Sequence, residues 1–213
     1  MKLPLISDRF SIYARILLAL LGGMMLLHAF LNPHCVLWPL QGFWLAQLAL
    51  LLLFLPAFNG DLFRFLLLVF FGSIAVEFIA QDTAKLYGAL RYGETLGFRV
   101  KGVPLLIAVQ ALLLNWCALD IAGRTRANVY VQALLGAALV AGIWALMEPL
   151  SAYGLWEWES GAATLKRYLA CFVIAFFFQL AGQSMNFEKR HSLALAAYAT
   201  QVLLFAILAL TKP

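Results

Sequence analysis

The chain predicts an all-α, polytopic membrane bundle of about seven transmembrane helices, and three observations carry that expectation. Hydrophobic residues make up 64% of the 213 and charged residues 12%, a balance that water-soluble single domains do not show. Apolar windows of about 20 residues, the length that crosses a hydrocarbon core, recur at 12–31, 36–58, 62–81, 103–122, 129–148, 165–185 and 192–210. Most connections between them are short, so successive helices run antiparallel with no room for a soluble domain. Residues 1–213 therefore read as one integral membrane unit, multi-pass and placed in the cell membrane.

The first span follows Lys2, Arg9 and Arg15. A basic start before an apolar run has the outline of a secretory signal, but the length of the run, the want of a small-x-small cleavage pattern and the spans that follow predict a retained helix. Asn32-Pro33-His34 and Asn59-Gly60-Asp61 form the next two turns, and the third span carries Glu77 and ends near Asp82. Pro104 suits the first turn of the fourth span, which contains Gln110 and Asn115. The fifth span stops near Glu148, because Pro149 disfavours helical geometry in the residue before it. The sixth holds Gln179 and Gln183. Amides inside membrane helices read as interhelical hydrogen bonds, with Gln110 the one assigned to substrate.

Several function classes fall away on composition. The formal charge is +5, yet the basic residues stand singly between spans, which suits anionic lipid headgroups and gives a nucleic-acid partner no support. Cys35, Cys117 and Cys171 are far apart and read as packing residues. The three histidines, His28, His34 and His191, are too scattered for the histidine boxes of a di-iron membrane oxygenase, so no metal is expected. No lysine sits mid-span in the last helix for a retinal Schiff base, and no phosphate-binding glycine loop is present. Lys and Arg divide almost evenly between the two faces. The amino terminus is assigned to the cytoplasm because Lys85, Arg91, Arg99 and Lys101 of the other face lie in a connection that itself reads as functional.

That connection, 82–102, mixes Gly88, Gly93, Gly97 and Gly102 with tyrosine and charge, and is too elaborate for a mere link. A second unusual stretch follows the fifth span, where Trp156 and Trp158 bracket Glu157. Spans three and five run in the same direction, so Glu77, Asp82, Glu148, Glu157 and Glu159 gather in one layer with both stretches. Ionisable groups at such depth mark function by default. Two carboxyl groups in different surroundings can divide into acid and base, which is what adding water to an alkene needs. The alternative is that Glu77 and Glu148 neutralise Arg91, Arg99 or Arg167, or mark helix ends. Tyr87, Tyr92, Trp156 and Trp158 read either as an interfacial aromatic belt or as ring faces that stabilise a developing cation.

Two blocks carry a resemblance. The first comprises Glu77, Thr83-Ala84, Tyr87-Gly88, Tyr92-Gly93-Glu94-Thr95-Leu96-Gly97 and Gly102-Val103-Pro104; the second comprises Glu148-Pro149, Trp156-Glu157-Trp158 and Tyr168 at the head of the sixth span. On these the chain resembles the membrane carotenoid biosynthesis protein family that includes the γ-carotene 1′,2′-hydratases and the bisanhydrobacterioruberin hydratases. It departs from the family pattern at Asp82, often histidine there, at Ala84, where glycine is usual, at Gln110, which no Trp follows, and at Arg167, where asparagine is usual. The resemblance implies a cofactor-free hydratase that adds water to the terminal 1′,2′ double bond of an acyclic carotenoid end group. Glu77 would be the acid, Glu148 or Asp82 the group that orients and deprotonates water, and Tyr87, Tyr92, Gln110, Trp156 and Trp158 the substrate contacts. A lipophilic carotenoid, the bilayer and other enzymes of carotenoid biosynthesis are the partners it implies. A carotenoid end-group cyclase or isomerase, and a small membrane transporter or scaffold, are the alternatives.

Overall fold

The apolar windows become helices in a computed structural model that describes residues 4–31, 37–55, 58–83, 86, 90–158 and 165–210. The helices are α1 (Pro4–Leu31), α2 (Leu37–Leu53), α3 (Gly60–Thr83), α4 (Leu105–Gly123), α5 (Val129–Met147), α6 (Leu165–Ser184) and α7 (Ala194–Leu210). Length and apolarity qualify α3, α4, α5 and α6 to cross a membrane, while the apolar runs Arg15–His28, Pro39–Leu53 and Ala194–Leu210 are shorter.

The bundle is organised around α4, which is apolar on every side and buried along nearly its whole length, as a central helix must be. Helices α2, α3, α5, α6 and α7 pack around it, and α1 lies outside against α2 and α7. The outer faces stay apolar: Phe71 and Ile79 on α3, Val131 and Leu135 on α5, Val173 and Phe177 on α6 are all exposed, the surface expected of helices that meet lipid. Asn59 and Asn128 start α3 and α5 by accepting the amides of Leu62 and Val131 at 2.9 and 3.0 Å, which occupies donors a helix start leaves unpaired.

Buried amides hold the bundle together. Gln110 Nε2 donates to Gln201 Oε1 at 2.7 Å and Gln201 Nε2 to Gln47 Oε1 at 2.8 Å, a chain that ties α4, α7 and α2. Gln179 Nε2 donates to the Asn115 carbonyl at 2.8 Å and Gln183 Nε2 to that of Leu119 at 3.2 Å, which joins α6 to α4.

Two short ribbons join the all-α scaffold. Strand β1 (Leu90–Tyr92) pairs antiparallel with β4 (Trp156–Trp158), and β2 (Arg99–Val100) with β3 (Val103–Pro104). The second ribbon turns through Lys101 and Gly102, at φ 48° and 86°, the two positive values of a tight two-residue hairpin. The first unites the two connections that the sequence singles out, so the carboxy-terminal ends of α3 and α5 do share one face. Strand pairing satisfies backbone groups that these links would otherwise bury unpaired. Between α5 and β4 the chain makes a 3-10 turn from Glu148 to Tyr153, which Gly154 closes at φ 79°.

Gly93 follows β1 with ordinary extended angles, so its requirement is proximity: a Cβ there would collide with the Gly154 carbonyl. The neighbouring bond, Gly93 N to Leu155 O at 2.9 Å, leaves the main chain no way to retreat. Gly93→Ala is expected to lower stability by about 1–3 kcal/mol, as overpacking does, measured as a lower melting temperature of the purified protein. An unchanged melt would remove this contact from the account.

At the opposite end of the bundle, Asp120 accepts from Arg124 Nε and Nη2 at 3.0 and 2.8 Å and from the His191 amide at 2.8 Å. His191 Nε2 bonds the Leu51 carbonyl at 3.0 Å, while Nδ1 accepts the Leu193 amide at 3.2 Å, an arrangement that needs the neutral ring. Burial pushes this histidine below its ordinary 6.5, against the opposing pull of the Leu51 carbonyl and the Asp120 charge. A base with a lowered folded-state value contributes stability that is complete above the unfolded value and lost as pH falls below it. The melting temperature should therefore hold at neutral pH and drop below about 6.5, and His191→Gln should flatten that drop.

Candidate active site

The site is assembled under the β1–β4 ribbon from the ends of α3, α4, α5 and α6. Glu77 projects inward from α3 and is 8% exposed, and Tyr92 Oη on β1 donates to its Oε2 at 2.6 Å. Glu148, at the end of α5, accepts from Trp158 Nε1 on β4 at 2.6 Å through Oε1. Its Oε2 is buried and has no hydrogen-bond partner among the described residues. Each carboxylate is thus held by an aromatic donor, and the donors sit on paired strands: Tyr92 lies opposite Trp156 and Leu90 opposite Trp158. Residues two apart on a strand share a face, so Leu90, Tyr92, Trp156 and Trp158 all turn down onto the helices while Arg91 and Glu157 turn outward.

Arg167, in the first turn of α6, is 2% exposed and lies beneath this ribbon. Its guanidinium carbon is 4.4 Å from the Trp158 ring centre, 5.3 Å from that of Trp156 and 5.7 Å from that of Trp144. A desolvated stack on indole faces contributes about 2 kcal/mol or more. The same cation acts electrostatically on Glu77, and it stacks on the Trp158 ring whose Nε1 donates to Glu148.

Below Glu77 and Arg167 lies a cavity of about 40 Å³, walled by Ser73, Val76, Asn115, Trp144, Ile174 and Phe178 among others. One water needs about 10–15 Å³, so there is room for about three. Glu148 is not among the lining residues and joins the cavity through Arg167 and the tryptophans.

The remaining sequence candidates fall in different places. Tyr92, Trp156 and Trp158 belong to the ribbon and are buried. Gln110 is in the amide chain with Gln201, also bonding Met147 Sδ at 3.7 Å, and does not line the cavity. Asp82 is exposed at the end of α3. Tyr87 and Glu159 lie outside the described residues. Arg167, Trp144, Ser73 and Asn115 enter the site without having been sequence candidates for it. Of these Arg167 had a signal: a charge inside the apolar window 165–185.

The fold and the site define a helical membrane protein whose buried charges converge on a pocket beneath an aromatic ribbon. A family model described as carotenoid biosynthesis protein matches residues 40–212, and the chain belongs to that family. No curated protein and no solved structure matches it significantly. Its role is accordingly in carotenoid biosynthesis, which suits apolar helices and a lipophilic substrate.

Proposed function

We propose that this protein is a cofactor-independent carotenoid hydratase that adds water across the terminal 1′,2′ double bond of an acyclic end group. The observation that carries the reading is a buried carboxyl, Glu77, fixed by Tyr92 beside a cavity large enough for a few waters, within a mainly apolar helix bundle. A forty-carbon polyene dissolves only in the bilayer and water comes only from outside, so the reacting terminus must meet water close to the interface. Glu77 is six residues from the end of α3, about 9 Å below it at 1.5 Å per residue.

In the proposed step, the Glu77 carboxyl gives its proton to C2′, the less substituted alkene carbon. The π pair forms the new C–H bond and leaves a tertiary cation at C1′. Arg167 compensates the carboxylate that remains on Glu77, and the Trp144 ring at the cavity wall faces the cation. Glu148 meets the cavity only across Arg167 and the tryptophans, so its role begins once the pocket opens to admit substrate: its Oε2, without a hydrogen-bond partner among the described residues, then orients a water whose lone pair forms the C1′–O bond, and takes the proton that water releases. Return of that proton to Glu77 restores the enzyme. Acid–base help of this kind supplies about 10²–10⁴-fold; the rest comes from holding water and cation together.

We place the protein in the cell membrane as a multi-pass protein of seven spans and a single domain. The 17-residue α2 and α7 reach about 25 Å, short of the roughly 30 Å core by an amount that local thinning absorbs. Expression in a host that accumulates lycopene or γ-carotene tests the activity. A pigment heavier by the mass of one water is expected; ring-closed pigment of unchanged mass would instead make the protein a cyclase.

A further inference from the structure

The cavity is too small for the substrate it is meant to serve. At about 40 Å³ it is far below the roughly 150 Å³ that takes a single benzene, and a branched isoprenoid terminus is no smaller. Some wall must therefore move to admit it.

The cavity runs down among α3, α4, α5 and α6, with the part-exposed α3 and α6 residues on its outer side. Glu77 and Arg167 mark its upper end, and Ser73, Ile174 and Phe178 its lower part. Phe178 is thirteen residues into the 20-residue α6, about 20 Å from its start and two-thirds of the way along it, so the floor lies deep within the layer that this helix is long enough to cross. The flanking residues Ile79 and Phe71 of α3, and Val173 and Phe177 of α6, are exposed on the outer surface. Val76, Ile174 and Phe178, which line the cavity, are part-exposed between them. The slot thus faces lipid along its side, whereas the ribbon covers its upper end.

Opposite Phe178 stands Gly72. A Cβ at Gly72 would lie 2.9 Å from both Cε1 and Cζ of Phe178, so the ring rests directly on the α3 backbone. Ser73 and Val76 of α3 share the cavity wall with it, and rotation of this one ring off Gly72 would open the lower end of the slot.

We propose that the α3–α6 slot is the lateral binding channel for a long conjugated polyene, and that Phe178 resting on Gly72 is its gate. The chain passes from lipid between the helices along Ser73, Val76 and Ile174, and its terminus reaches Glu77. The occupant's chemistry rests on the carotenoid reading; the channel itself does not depend on the reaction being hydration.

The test uses full-length protein purified from cells that accumulate an acyclic carotenoid, with polyene absorbance per protein and hydroxylated product read separately. Val76→Trp and Ile174→Trp fill the slot and should each lower retained polyene by about tenfold or more, the range a mis-sized apolar pocket commands. Leu20→Trp, on the exposed face of α1 away from α3 and α6, should leave retention unchanged. Phe178→Ala removes the gate without adding bulk, and should retain at least as much polyene while accepting end groups bulkier than the natural one. Folded slot-filling variants that retain polyene as the parent does would overturn the channel, as would Phe178→Ala losing retention. Loss of polyene on filling with no hydroxylated product in any variant would support the channel and sink the hydration reading.

Discussion

Glu77→Gln is expected to lower hydroxylated pigment by about 10²–10⁴-fold, the share acid–base catalysis commands, while the unreacted carotenoid accumulates. The amide carbonyl still accepts the Tyr92 hydroxyl, so the ribbon should stay seated and the protein should melt near its normal temperature. That separation of activity from stability is the point of the substitution. Product at the parent level from a well-folded Glu77→Gln variant would show that the proton comes from elsewhere. Glu148→Gln should also lose activity, through the water-orienting oxygen.

The largest expected effect on stability is at Arg167. It is buried against three tryptophans and acts on Glu77. Arg167→Ala strips the compensating charge from a half-dry pocket and the platform from under the ribbon. Removing one member of a buried charge cluster costs about 3–5 kcal/mol, which for a chain of this size means a melting temperature lower by on the order of 10 °C. Arg167→Lys keeps the charge but loses the planar stack, and should fall between the two. A parent-like melt for Arg167→Ala would mean that the ribbon is held by strand pairing and the two carboxylate bonds alone.

Much of this site was legible in the sequence because helix parity is simple arithmetic. Spans joined by short links alternate in direction, so Glu77 and Glu148 had to approach the same face, and the β1–β4 pairing bears that out. Pro149 ended α5 near Glu148 as expected, with a 3-10 turn carrying the chain on. The ribbon was not legible. Strands of three residues are too short for a period-two pattern to register, and pairing Tyr92 with Trp156 is decided by which helix ends meet.

The position of Asp82 relative to Glu77 follows from helix phase. Five residues advance about 140° around an α-helix, so a side chain at Glu77 that faces the core puts Asp82 on another face, where it is exposed. Gln110 illustrates a different limit. It was read as a substrate contact, yet its amide bonds Gln201, which depends on α7 lying beside α4, and no pattern within α4 specifies a neighbour ninety-one residues away. Arg167 was one of three arginines read as possible partners of Glu77 and Glu148, but its three aromatic neighbours come from α5 and β4, and only the assembled fold gives it a place.

The most direct test of the chemistry is isotopic. Membranes carrying the protein and an acyclic carotenoid are incubated in water enriched in ¹⁸O, and in parallel in D₂O, and the pigments are analysed by mass. The proposed route puts one ¹⁸O in the tertiary alcohol and one deuterium on the adjoining carbon. An alcohol whose oxygen is unlabelled, or a ring that gains deuterium but no oxygen, would contradict it.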